Sequence, residues 1–454
     1  MVNPLTVMLV FDGLFLGIGG WLVQRDSVGL TLSLLAAAAV IGLWQWVLFS
    51  TVPHPAKTLK VNLNIHSHHY VQACLHSTLY VYWGLYWDDV GRFAGLILIQ
   101  IVFAYLIEML LNWIRGRTWG LGFGPFPIIF STNLFLWFRE EYFYGQFLLV
   151  LLIYLGKEFV TWNRDGRRRH IFNPSAFALT LVCVSLMAAH GIGVTRGVDI
   201  VAAFDVPPNF YEMIFLVGLV AQIRFGVTPV SMGTVLALVF AQSASKLVFG
   251  TPLFPGLINC AVFLGLTLLI TDPSTSPRTH TGRFLFGMLY GLGIFLSDVV
   301  LRLIYQPSFV DKIVVVPALN LMVPWIDRLT SREPIWIGKI NSLLQFKLSR
   351  QCWVGAYVVL FLLIVPQLKV PESSYSTILP PPVVGASAEL GRLLGNKIYA
   401  GIKYPQVYRP FGFRAEYENF RHVKQIYSSE PDSEMIDAVF EFHEKQRMRE
   451  AVSP

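Results

Sequence analysis

Residues 162–177 read Trp-Asn-Arg-Asp-Gly-Arg-Arg-Arg-His-Ile-Phe-Asn-Pro-Ser-Ala-Phe, a basic polar loop that runs straight into the start of a new apolar segment. The loop lies between two hydrophobic runs of membrane length. Its Arg164, Arg167, Arg168 and Arg169 form a charge anchor of the kind that fixes membrane topology. Asn173-Pro174 is a helix start, with Asn as N-cap and Pro at the first helical position. A second loop answers it. Residues 270–283, Ile-Thr-Asp-Pro-Ser-Thr-Ser-Pro-Arg-Thr-His-Thr-Gly-Arg, again follow an apolar run, again set a short polar side chain before Pro (Asp272-Pro273) and again end in basic residues. Two such loops in one chain imply a repeated design.

The surrounding composition makes the chain an integral membrane protein. Of 454 residues, 54% are hydrophobic and only 14% charged, with 34 Phe and 12 Trp, a balance foreign to soluble globular domains. The formal net charge is +7, and the basic residues cluster in loops between apolar runs. That distribution orients a chain in a lipid bilayer, whereas nucleic-acid binding would call for a basic face on a folded soluble domain. The four cysteines, Cys74, Cys183, Cys260 and Cys352, are scattered and form no Cys-x-x-Cys pair. They give no zinc site and no cysteine-ligated iron–sulfur cluster within the chain. The first apolar run lacks a basic n-region and a small-residue cleavage site, so it reads as a retained helix.

A spanning helix needs about 20 mostly apolar residues. Candidate spans are 5–23, 30–49, 76–87, 93–114, 126–138, 144–160, 172–189, 210–223, 230–248, 257–270, 284–304, 310–326 and 353–365, several of them short or interrupted. Residues 122–138, with Pro125 and Pro127, and residues 251–270, with Pro252 and Pro255, are the most broken. Paired broken segments point to an inverted-repeat membrane fold with a site where half-helices meet. If the spans alternate, Arg115, Arg117, the 164–169 cluster, Arg224, Arg278, Arg283 and residues 328–350 fall on one side, the cytoplasmic one. Beyond 365 a Pro-rich linker (Pro380, Pro381, Pro382) leads to a charged tail with a helix expected over 433–451, suited to docking on partners.

Both polar loops offer what an anion wants, namely helix N-termini, hydroxyls and guanidinium groups. Ser274, Thr275, Ser276 and Thr279 beside Arg278 are the densest case, although the same residues also make a capped turn with no ligand. Intramembrane ionisable residues occur at Lys157-Glu158, Glu108, and Asp298 with Arg302. The last two are spaced for an ion pair one helical turn apart. A histidine cluster, His66, His68, His69 and His76, is the one metal-like feature. On a helix, His66 with His69 and His69 with His76 share a face, which makes His66, His69 and His76 the candidate ligands of a metal or a haem.

Three motifs resemble the RnfD/NqrB family of membrane subunits from Rnf and sodium-translocating NADH:quinone reductase complexes. They are Gly156-Lys157-Glu158 through His170-Ile-Phe172-Asn173-Pro174-Ser175-Ala176, then Thr271-Asp272-Pro273-Ser274-Thr275-Ser276-Pro277 with Gly282-Arg283, then Asn320-Leu-Met-Val-Pro324-Trp-Ile-Asp327-Arg328. The similarity covers about residues 93–337. It implies an all-α polytopic fold of two inverted repeats of about five helices each, here with additional N- and C-terminal helices. It also implies FMN bonded to a threonine in a Ser-Gly-Ala-Thr-like motif. The corresponding loop, 191–209, lacks that motif and has Thr195 as its only threonine. The expected flavin is therefore FMN or riboflavin held noncovalently, with Arg169, His170, Asn173, Asp272, Ser274, Thr275 and Ser276 lining its site.

The expected organisation is N-terminal helices in 1–60, a His-rich segment and short helix in 61–92, the family-like core in 93–337, a basic loop and last helix in 338–367, and a polar tail in 368–454. The leading functional reading is the electron-transfer subunit of an oxidoreductase complex in a bacterial inner membrane, using flavin or quinone and coupled to ion transport. Its partners would be other membrane and peripheral subunits and the lipid bilayer, with no nucleic acid. Two alternatives remain open on the sequence: an inverted-repeat solute channel or transporter, and a membrane scaffold subunit of a larger complex.

Overall fold

The computed structural model describes residues 3–368, apart from 26, 53–58, 117, 165, 205, 250–257, 305 and 332–345. The tail expected over 368–454 lies outside the described residues from 369 onward, including its helix at 433–451, as do Pro252 and Pro255. The described chain is an all-α polytopic membrane protein. Six of its helices are long and apolar enough to cross a bilayer, and the remaining crossings are made by shorter and broken segments.

An N-terminal hairpin, α1 (Pro4–Val23) and α2 (Val28–Thr51), precedes the repeats. Asn3 starts α1 by accepting the Leu5 amide at 3.0 Å, with Pro4 at the first helical position. A short strand, β1 (Lys60–Leu63), then leads into α3 (Ser67–Gly84) and α4 (Asp88–Ile114). Strand β2 (Thr118–Leu121) lies parallel to β1, so the start of α3 and the end of α4 share one face of the molecule. The third crossing is α5 (Pro125–Asn133) followed by a turn at 134–135 and a non-helical stretch, 136–139. The expected span 126–138 is thus helical only to Asn133. α6 (Tyr144–Phe159), the hairpin β3 (Thr161–Arg164) with β4 (Arg167–His170), and α7 (Pro174–Ala188) complete a first set of five crossings. After a helix of about two turns, α8 (Gly197–Ala203), a second set follows. It comprises α9 (Phe210–Phe225), α10 (Thr228–Phe249), a broken crossing of α11 (Cys260–Leu264) and a π-type turn (Gly265–Leu269), α12 (His280–Leu303) and α13 (Asp311–Thr330). The last helix, α14 (Phe346–Leu368), stands outside both sets.

Hydrogen bonds and ion pairs assign each helix end to a face. On one face Lys157 meets Glu108 at 2.8 Å, Arg115 pairs with Glu158, Arg224 donates to the Ser67 hydroxyl at 2.7 Å, Arg283 to the Gly226 carbonyl at 2.6 Å and Arg164 to Asp327 at 2.7 Å. These contacts gather the ends of α4, α6, α9 and α13 with the starts of α3, α7 and α12. It is the basic face expected from the loops. On the opposite face Arg25 pairs with Glu140 at 3.1 Å, Tyr82 donates to the Pro208 carbonyl, and Arg196 pairs with Asp89. The first set therefore starts at the basic face and the second at the opposite one, so corresponding crossings run in opposite directions. The inverted repeat is visible in this alternation. First and fifth crossings pack across the repeats, α3 on α9 and α7 on α13.

Small residues allow the closest packing inside repeat 2. A Cβ at Gly287 would collide with the Val230 carbonyl, and one at Gly291 with that of Thr234, so α10 and α12 touch backbone to backbone in the small-xxx-small manner of membrane helices. Thr234 adds an interhelical bond to the Gly287 carbonyl at 3.0 Å. In repeat 1 the break after Asn133 is held by three fully buried amides. Asn133 and Gln100 exchange hydrogen bonds at 2.7 and 3.3 Å, Gln146 donates to both, and its own carbonyl accepts the Phe138 amide at 3.1 Å. With no water in hydrocarbon to satisfy them, backbone groups freed by a broken helix need such internal partners.

Candidate functional site

The two polar loops meet on the basic face, though they are not equivalent positions of the repeat. The first joins the fourth and fifth crossings of repeat 1, and the second follows the third crossing of repeat 2. Inversion brings them together. Asn173 is the pivot. Its side-chain oxygen caps α7 by accepting the Ala176 amide at 3.1 Å, and its amide nitrogen donates to the Leu269 carbonyl at the end of the π-type turn, 2.9 Å away. Its backbone N–H donates to Asn320 of α13 at 3.0 Å, and Asn320 in turn donates to the Thr275 carbonyl at 3.3 Å.

Asp272 sits at the centre of the second loop. One carboxylate oxygen accepts the Ser274 backbone N–H at 3.0 Å and its hydroxyl at 2.8 Å. The other accepts the Ser274 and Thr275 hydroxyls at 2.7 and 3.1 Å. Ser276 donates its hydroxyl to the Asp272 backbone carbonyl at 2.7 Å. His170 reaches across from β4, with Nε2 2.9 Å from the Ser274 hydroxyl and 3.7 Å from the carboxylate. Because the Ser274 proton is directed at Asp272, His170 Nε2 serves as the donor. Burial alone would push the Asp272 carboxyl up, but His170 and the Ser274 hydroxyl and amide outweigh it and hold it below the usual carboxylate range. Arg164 closes the junction by donating to the Ser276 carbonyl at 3.3 Å and to Asp327, whose other oxygen accepts the Arg278 amide at 2.9 Å.

Six of the seven expected residues thus converge. Arg169 does not, because neighbouring strand residues point to opposite faces. It is half-buried on the other side of the hairpin from His170, held by its backbone pairing with Trp162, and its side chain makes no hydrogen bond among the described residues. Asn320, Asp327 and Arg164 belong to the junction although they were not among the expected site residues. Asn320 and Asp327 lie seven residues apart on one helix, hence on one face, which was the available signal.

The junction does not fit the phosphate of FMN. Its three hydroxyls all donate inward, two to the Asp272 carboxylate and one to the backbone, so they are spent on an acid that would repel a phosphate. Thr195 lies on the opposite face, 6% exposed, with its hydroxyl donated to the Ile192 carbonyl at 2.8 Å. The metal or haem set does not form either. His66, His68 and His69 lie together at the basic face, with ring centroids 4.2–5.6 Å apart. His76 is seven residues along the helix from His69, about 10 Å at 1.5 Å per residue, with Nδ1 2.7 Å from the Gln72 carbonyl. Among the described residues no group of three or more His, Cys, Asp or Glu could hold a metal ion. The expected ion pair of Asp298 with Arg302 is present at 2.8 Å.

Fold and junction together define a polytopic helical membrane protein whose inverted repeats are clamped on a basic face. Residues 212–335 match the NQR2, RnfD, RnfE family model, a stretch that coincides with repeat 2 from α9 to the end of α13. The RnfD/NqrB-like assignment made from the motifs is thereby supported over that stretch. No curated protein and no solved structure matches it.

Proposed function

We propose that the chain is the redox-linked membrane subunit of an electron-transfer complex in a bacterial inner membrane, with its basic face toward the cytoplasm. The observation that carries this reading is the coincidence of the family match with repeat 2, whose Asp272 and Asn320 motifs build the junction with the first motif of repeat 1. In this reading the junction positions the repeats and is not itself the redox site. The electron-carrying group is noncovalent and lies elsewhere. The group proposed is a quinone or a flavin.

The test is an absorption spectrum of the detergent-purified protein, with solvent extraction and intact mass measured on the same sample. Extractable quinone or flavin at unmodified mass supports the proposal, and Asp272→Asn should retain the group. A colourless protein of unmodified mass that yields no quinone on extraction would sink it and favour the scaffold reading.

A further inference from the structure

The N-terminal hairpin packs on repeat 1 by one side. Phe11 of α1 stacks on Tyr105 of α4 at 4.8 Å, and Phe15 lies 6.2 Å from Phe103 and 6.0 Å from Phe147. The other side of α1 carries Gly13, Gly17 and Gly20, four and three residues apart and hence in line on one face. No described atom lies within 4 Å of where a Cβ would stand at any of the three. Of the most apolar 18 residues of α1 and of α2, 28% are buried, against 83% in α4.

Asp12 sits at the seam of the two helices. It is about 16 Å from the Val23 end of α1 at 1.5 Å per residue, and so near the middle of a hydrocarbon layer of about 30 Å. The Gln45 side-chain nitrogen donates to both carboxyl oxygens, at 2.9 and 3.1 Å, which makes both of them acceptors, as in an ionised carboxylate. That neutral amide is the one side chain bonded to Asp12 among the described residues. Glu108 and Asp298, also carried by long apolar helices, each have a cation, Lys157 and Arg302. Asp12 has none, and both it and Gln45 are only half-buried. A carboxylate at this depth is costly unless a counter-charge meets it.

We propose that the outer side of the hairpin seats a transmembrane helix of a partner subunit that carries a lysine or arginine at mid-membrane depth. The partner's charge meets Asp12, and its backbone crosses α1 over Gly13, Gly17 and Gly20, where small residues let helices approach closely. Charge selects this occupant over three others. Lipid tails bring no cation to that depth. A second copy of the chain would set two Asp12 carboxylates at equal depth across a symmetric contact, where like charges repel. The chain's own tail, 369–454, has no apolar run long enough to span. The inference rests on the reading of the chain as a subunit of a complex and is independent of which electron carrier it holds. The hairpin also lies outside the stretch that matches the family, so its partner need not be one that repeat 2 contacts.

The experiment places the full-length protein in phosphatidylcholine vesicles with a synthetic transmembrane peptide of leucine and alanine. The peptide has one lysine at its centre and a dye that accepts energy from the protein's tryptophans. Matched peptides carry leucine or glutamate at the centre. The unaltered protein should bind the lysine peptide on the order of tenfold more tightly than the leucine peptide, and the glutamate peptide least. Asp12→Asn should erase that order and Asp12→Lys should reverse it. Gly17→Leu should weaken binding of the lysine peptide, because the backbones can no longer approach. Equal binding of the three peptides by the unaltered protein, or a lysine preference that survives Asp12→Asn, overturns the proposal. The comparison of peptides on the unaltered protein needs no variant, so it decides even where a variant does not fold. Cross-linking of two copies through Gly17→Cys in the same vesicles would assign the groove to a second copy and also overturn it. Because the absorption spectrum tests the electron carrier by itself, failure of the peptide experiment leaves the redox reading standing.

Discussion

Asp272 carries its charge at the meeting point of loops from opposite repeats, and its surroundings set the pH range over which that charge helps hold the fold. Its carboxyl is held below the usual range by His170 and by the Ser274 hydroxyl and amide, against the opposing effect of burial. A depressed folded value means that the stabilisation is fully present above the ordinary carboxylate pKa, near 3.9, and disappears as the pH falls through the folded value. Asp272→Asn should lower stability at pH 7 by about 2 kcal/mol, the cost of disrupting hydrogen bonds to a charged group. It should also flatten the acid side of the profile. Thermal midpoints of both proteins from pH 7 down to about 3 check this, and parallel curves would show that the Asp272 charge contributes nothing.

At the scale of elements, the tightest constraint is the α10–α12 contact. A side chain at Gly287 would strike the Val230 carbonyl, and two packed backbones leave nothing flexible to yield. Gly287→Leu should therefore separate the two helices, at about 3 kcal/mol or more, and appear as lost monodisperse yield and a lowered midpoint. Gly42→Leu is the control, because no atom lies within 4 Å of the position its Cβ would take and lipid accommodates the side chain. What was legible in the sequence at this scale was local. Asn173-Pro174 announced a capped helix start, Pro125 and Pro127 a broken crossing, and Asp298 with Arg302 a pair on one turn. The expectation that Asp272 and its neighbours await an anion failed to register that a carboxylate beside three hydroxyls satisfies itself first. His76 was grouped with His69 by face alone, although rise along the helix separates them.

Which loops meet is a property of the whole molecule, and hydropathy does not carry it. The likeness between the 162–177 and 270–283 loops implied a repeated design and left open which parts of it would touch. Their contact arises because one repeat is inverted, which puts the end of a third crossing beside the start of a fifth. Arg164 and Asp327, 163 residues apart, form the ion pair that ties the repeats, at 2.7 Å and with side chains only 10% and 17% exposed. At that burial a lone surviving charge is costly. Arg164→Glu should therefore be strongly destabilising, because it sets two carboxylates face to face, and Asp327→Arg should be comparably damaging. The double exchange restores opposite charges and should recover part of the loss, which identifies the pair as a link between the repeats. Recovery will be incomplete for two reasons visible in the structure. Arg164 also donates to the Ser276 carbonyl, which a glutamate cannot replace. Asp327 also accepts the Arg278 amide and lies 3.8 Å from its guanidinium, which an arginine would repel. Thermal midpoints of the four proteins measure the coupling, and strict additivity of the two single losses would show that the repeats are held by other contacts.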